Sequence, residues 1–172
     1  MLSECIERTK RLQGRMKEQG IAKAVFTDES SIAYLAGFWG YLGIEFGRPS
    51  MLVVGAEEDS IVITPLMESE MVGEMTWVKN IITWEDFGER SWGRALTTAL
   101  GAKPSEIWIE RNHIPAIVRN FIDEAFKGVP LKDISPVLGA QRMIKSPLEI
   151  SVMKQPGEVA GAMMKAAHGS LA

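Results

Sequence analysis

Apolar positions Leu2, Ile6, Leu12 and Met16, with Thr9 among them, recur at three- and four-residue steps between charges. That spacing predicts an amphipathic helix, with Ser3 as its N-cap and Gly20 as its stop. "AKAVFT" (Ala22 to Thr27) then reads as a short buried strand. Asp28 is placed to cap a short helix through Tyr34 and Leu35, which Gly37 ends. Met51–Gly55 and Ile61–Thr64 are β-rich runs joined by the polar "AEEDS", and they predict a hairpin. Helix is expected over "PLMESEMVGEM", with Pro65 near its start, and strand over Trp77 to Trp84. Ser91 to Gly101 reads as a helix closed by glycine, and Glu106 to Glu110 as a strand. Ile117, Val118, Phe121, Ile122 and Ala125 mark one helical face, and "PLKDIS" reads as a short edge strand or extended link.

The order is helix, strand, helix, two hairpin strands, then strands alternating with helices. It predicts an α/β fold: a mixed sheet covered by helices on both faces. The tail has its own character. Ser146, Pro147 and Glu149 form a helix start, with a cap, a proline at the first helical position and a capping-box glutamate. Pro156 and Gly157 follow, and a proline inside a helix costs about 3 kcal/mol, so a kink or break is expected near Gln155. Val159, Met163, Ala166 and Ala167 make a second, weakly amphipathic stretch with nothing after it to cover it. Either it docks on the preceding domain or it belongs to a further one.

Composition narrows the partners. The chain has 172 residues and a net charge of -3, with no basic stripe, which argues against nucleic acid. Its N-terminus lacks the apolar core of a signal peptide, and no apolar run reaches membrane-spanning length. Cys5 is the single cysteine and closes no internal disulfide, which fits a reducing cytoplasm and a packing role. The two histidines, His113 and His168, have no metal-site context, and HExxH, CxxC, GxSxG and phosphate-loop patterns are absent. Asp28, Glu45 and Glu110 stand at strand ends. A nuclease-like metal cluster would need such carboxylates to converge; the simpler expectation is a cap for Asp28 and solvated termini for the other two.

One segment, "GFWGYLGIEFGRPSMLVVG", sets Phe38, Trp39, Tyr41 and Phe46 around the single cation Arg48. Gly47 frees the local backbone, and Pro49 holds Arg48 extended. A guanidinium fork can grip a carboxylate with two parallel hydrogen bonds, which lysine cannot copy. Phe46, two residues earlier, shares its side of an extended segment and can wall an apolar ligand part. The plain alternative is a surface pair of Arg48 with Glu45, or a stack on Trp39. Trp39 and Tyr41, on a glycine-rich loop, suggest a subunit contact.

Together, "VFTDESSIAYLAGF", "FGRPSMLVV", "ITPLMES" and "QRMIKSPLEISVMKQPGEVAG" resemble the N-terminal domain of the creatinase, prolidase and aminopeptidase P family, nearly end to end. The resemblance implies a three-layer α/β/α, ribonuclease-H-like domain over residues 1–140. Residues 141–172 would then be the interdomain linker and the first helix of an absent C-terminal catalytic domain. In that family the catalytic domain holds a pair of divalent metals (Mn, Co or Zn), which creatinase itself lacks. No ligand of such a pair is expected in this chain, and no catalytic residue. "FGR" is closest to creatinase-like members, in whose dimers the matching Phe and Arg bind substrate in the partner subunit's active site. Carried over, those positions are Phe46 and Arg48. The implied parent is a cytoplasmic homodimeric hydrolase of C–N bonds in a dipeptide or small molecule: an Xaa-Pro peptide, a guanidino acid such as creatine, or a cyclic amidine acid. This chain alone is expected to be inactive. A free-standing module binding small acids at Arg48 is the alternative.

Overall fold

Six strands pair in the order β4-β3-β2-β1-β5-β6 in a computed structural model of the chain, which describes residues 2–40, 42, 46–87 and 91–170. The chain divides into two compact units, Met1–Leu138 and Gly139–Ala172. In the first, α1 (Leu2–Glu18) leads to β1 (Lys23–Phe26), α2 (Glu29–Ala36), β2 (Met51–Gly55) and β3 (Ile61–Pro65). A 3-10 turn (Leu66–Glu68), α3 (Ser69–Met75), β4 (Asn80–Trp84), α4 (Trp92–Leu100), β5 (Ile107–Ile109), α5 (Ala116–Ala125) and β6 (Leu131–Asp133) follow. Among the described strands, only β2 runs antiparallel to its neighbours, pairing Val25 with Val53 in β1 and Leu52 with Val62 in β3. The β3–β4, β1–β5 and β5–β6 pairs are parallel.

Side chains alternate across the strands, as the period of two requires. Ala24, Phe26, Leu52, Val54 and Val62 point to one layer, where Leu12 and Met16 of α1, Ile32 and Leu35 of α2 and Val72 of α3 cover them. Val25, Met51, Val53, Ile63, Ile107 and Ile109 point to the other, under Leu96 and Leu100 of α4 and Val118 and Ile122 of α5. Burying one such side chain is worth roughly 1.5–3 kcal/mol, so the two layers hold the sheet from both sides. The sequence expectation of a mixed α/β sandwich is met.

Helix ends follow the local chemistry. Gly20, at φ 69°, closes α1: its N–H donates to Lys17 O and that of Ile21 to Met16 O, the paired bonds of a Schellman stop. Ser3 lies inside α1, not ahead of it. Asp28 caps α2 as expected, its carboxylate accepting from Ser31 N–H at 3.1 Å. The last carbonyls of α2 all find donors. Gly37 N–H reaches Ala33, Arg8 reaches Tyr34, Thr9 and Trp77 reach Leu35, and Thr76 reaches Ala36. Trp77 thus serves as a helix partner, and β4 starts three residues later than its apolar run suggests. Cys5 is buried and free, consistent with packing.

Two features depart from the sequence reading. Helix α6 (Ser135–Met143) was not foreseen. Asp133 accepts from Ser135 N–H at 3.0 Å and turns the chain out of β6 into it. In the second unit, of the kink or break expected near Gln155, the break does not occur: α7 (Pro147–Ser170) continues through Pro156. A proline removes one rung of the helical ladder, and the turns on either side carry the helix across. The start of α7 is as expected. Ser146 N–H donates to Glu149 at 2.8 Å, and Glu149 N–H donates to Ser146 Oγ at 3.2 Å, a complete capping box.

Candidate functional site

Strand reversal at β2 brings distant segments to one edge. The residues before Met51 enter β2 beside the ends of β3 and β4, because Met51 pairs with Ile63 and Pro65 with Trp84. Arg48 therefore meets the turn after β3 and the loop after β4. Its Nη2 contacts Asp86 Oδ2 at 2.5 Å, and its Nη1 donates to Met67 Sδ at 2.9 Å. Arg48 does not stack on Trp39; Glu45 and Tyr41, the other residues named for it and its loop, lie outside the described residues.

The segment carrying Arg48 is anchored on both sides. Gly47 adopts a left-handed φ of 63°, which a side chain there would disfavour. Trp84 Nε1 donates to Pro49 O at 3.0 Å. Glu68, only 2% exposed, accepts from Ser50 Oγ at 3.2 Å, Thr64 Oγ1 at 3.0 Å and Leu42 N–H at 3.4 Å. Leu42 O in turn accepts from Arg48 N–H at 3.2 Å.

An open cleft of about 350 Å³ lies in front of the guanidinium, lined by Leu66, Met67, Trp84 and Phe87 and by the acids Glu85 and Asp86. Its apolar wall is solvent-facing: Met67 is 68% and Phe87 89% exposed. Arg48 also borders a second hollow, of about 310 Å³, with Phe46, Trp92 and Ile117. Phe46 and Arg48 are thus brought together, while Trp39 is half-exposed and lines neither hollow. Sequence reading missed Asp86, Met67, Trp84 and Phe87 as neighbours of Arg48. Their signal is topological, since "WEDF" begins with the last residue of β4, a strand that lies two places from β2 in the sheet.

Glu110, expected to be a solvated terminus, is buried at 3% exposure. One oxygen accepts from the Thr27 and Asp28 amides, each at 3.1 Å, and the other accepts from Ser31 Oγ at 2.6 Å. It clasps the end of β1 to the start of α2 from the end of β5. Burial pushes its carboxyl above the ordinary 4.5, against the pull of these donors. The folded chain therefore holds this proton to higher pH than the unfolded chain does. Its contribution is most favourable below the ordinary carboxylate range and declines as pH rises through the folded value. Glu110→Gln is expected to flatten that decline, so that the variant gains on the parent as pH rises from about 4 to 7. Parallel melting-temperature profiles for the two proteins would reject this.

No group of three or more His, Cys, Asp or Glu side chains among the described residues is arranged to hold a metal ion. Likewise, no described helix is long and apolar enough to cross a membrane.

Fold and site together define a three-layer α/β domain with one mixed sheet and, at one end of it, an open cleft that Arg48 shares with the acids Glu85 and Asp86. The chain belongs to the creatinase/prolidase N-terminal domain family, whose model matches residues 8–144. It is 25% identical over 160 residues to a creatinase from Bacillus sp. (strain B-0618), covering 91% of this chain and 38% of that protein. A prolidase from Thermococcus sibiricus shares its fold with a TM-score of 0.79 at 21% identity, over 92% of this chain and 42% of that one. A proline dipeptidase chain from Streptococcus pneumoniae does so at 0.69 and 17% identity, over 80% of this chain and 98% of its own. The chain thus spans about two fifths of the creatinase and of the Thermococcus prolidase.

Proposed function

We propose that this chain is the non-catalytic N-terminal domain of a homodimeric C–N hydrolase of the creatinase or Xaa-Pro dipeptidase type. In this reading it presents Phe46 and Arg48 to the active site of a partner subunit, where Arg48 grips a substrate carboxylate and Phe46 packs beside it. The observation that carries the reading is the placement of Arg48. Its side chain keeps 34% of its surface exposed at the mouth of an open cleft with one apolar wall, on a segment fixed from both sides. An ordinary surface arginine is not anchored in this way.

The chemistry belongs to a catalytic domain that joins this one in the longer enzyme. A divalent metal pair, if that domain uses one, is held there, because the described residues of this chain do not fit such a pair. Candidate substrates are an Xaa-Pro dipeptide, a guanidino acid or a cyclic amidine acid, each with a carboxylate for Arg48.

The test is kinetic. In the longer enzyme, Arg48→Ala is expected to raise KM for a carboxylate substrate about 10- to 100-fold, the worth of a charge-assisted hydrogen-bond pair, with a smaller effect on kcat. Arg48→Lys restores the charge without the fork and recovers only part of the loss. An unchanged KM in Arg48→Ala would remove the proposal. So would metal-dependent peptidase activity in the purified 172-residue chain.

A further inference from the structure

The partner that Arg48 has found is itself a carboxylate. Asp86 Oδ2 meets Nη2 at 2.5 Å, in the position an incoming acid would take. The pair is incomplete: one oxygen meets one nitrogen, while Nη1 faces the thioether of Met67, a weak acceptor. Among the described residues, the fork is held by neither the parallel two-bond geometry nor a second oxygen. Both partners are about one-third exposed, Arg48 at 34% and Asp86 at 38%. Such pairs are weak, because water solvates each charge well when they part. Asp86 stands on the irregular stretch after β4, where its side chain can swing away without disturbing the sheet.

We propose that Asp86 is a built-in competitor for the carboxylate site: it occupies Arg48 in the empty domain and must release it when a ligand acid binds. This inference rests on the carboxylate-clamp reading above and adds a specificity-determining residue to it. Asp86 lowers the affinity of every monoanionic acid by the free energy of the Arg48–Asp86 pair. It also keeps the guanidinium aligned with the cleft while no ligand is present. The favoured ligand offers two oxygens to the fork and an apolar body to Leu66, Met67, Trp84 and Phe87. It thereby exchanges a one-oxygen contact for a two-oxygen one.

The experiment uses the whole 172-residue chain, ¹⁵N-labelled, titrated with phenylacetate and, in parallel, with the neutral phenylacetamide. Asp86→Asn is expected to tighten phenylacetate binding about two- to fivefold, the range of an exposed ion pair, and to leave phenylacetamide unchanged. Asp86→Ala should do the same, and Asp86→Glu should return the affinity towards that of the parent. Glu70→Gln, which removes an exposed acid outside the cleft, controls for net charge. Equal tightening from Glu70→Gln, or none from Asp86→Asn, overturns the competitor role. No binding by either the parent or Asp86→Asn likewise overturns the competitor role, whereas the underlying reading fails separately, if Arg48→Ala binds phenylacetate as well as the parent does.

Discussion

Trp84→Ala is expected to destabilise the domain by about 3–5 kcal/mol, among the largest effects of any single truncation. The indole is buried in the layer beneath α4 and α5, so its removal leaves a cavity that Ile63 and Leu96 cannot fill without repacking. It also strands Pro49 O, whose partner is Trp84 Nε1. Trp84→Phe separates the two contributions. It keeps most of the ring volume and loses the hydrogen bond, and it should cost about 1–2 kcal/mol. Urea unfolding of the three proteins is the measurement. A Trp84→Ala variant within about 1 kcal/mol of the parent would show that the end of β4 is not part of the cooperative core.

Glu68→Ala is the second large effect, expected at about 2–3 kcal/mol. Its carboxyl gathers two hydroxyls and one amide in a place closed to water. Removing it leaves Leu42 N–H without an acceptor, while Ser50 and Thr64, whose hydroxyl oxygens lie 3.4 Å apart, can partly satisfy each other. Glu68→Gln keeps an acceptor for the amide and lets the hydroxyls turn to accept, so it should be nearly neutral. The loss also has a functional side. Leu42 holds Arg48 N–H, so in Glu68→Ala the backbone amide of Arg48 should lose hydrogen-exchange protection before the sheet does. Uniform loss of protection across the sheet would contradict this.

The strands were legible because their faces alternate: Ala24 and Phe26 against Val25, Leu52 and Val54 against Val53, each set meeting its own helical layer. Asp28 was legible because capping is local chemistry, complete within three residues. Helix α6 was not read from the sequence, although Asp133 and Pro136 spell a helix start, because the apolar run around Ile134 was read together with β6. Glu110 looks like any polar residue ending a strand. Its burial comes from Thr27, Asp28 and Ser31, about eighty residues upstream, which no local pattern can report. Arg48 stood out by composition, as the one cation in an aromatic stretch. Its counter-ion did not, because Asp86 is delivered by the strand order and not by spacing along the chain.

The single reversed strand has a consequence for how this edge can change. Five of the six segments at this end of the sheet follow strands, and their lengths are set by the helices they must reach. The one carrying Arg48 leads into a strand and is held at Leu42, at the Arg48 amide and at Pro49. A change of length in that arm that keeps these anchors must fall upstream of Leu42, where it shifts no rung of the sheet, so the arginine and the scaffold beneath it stay fixed together.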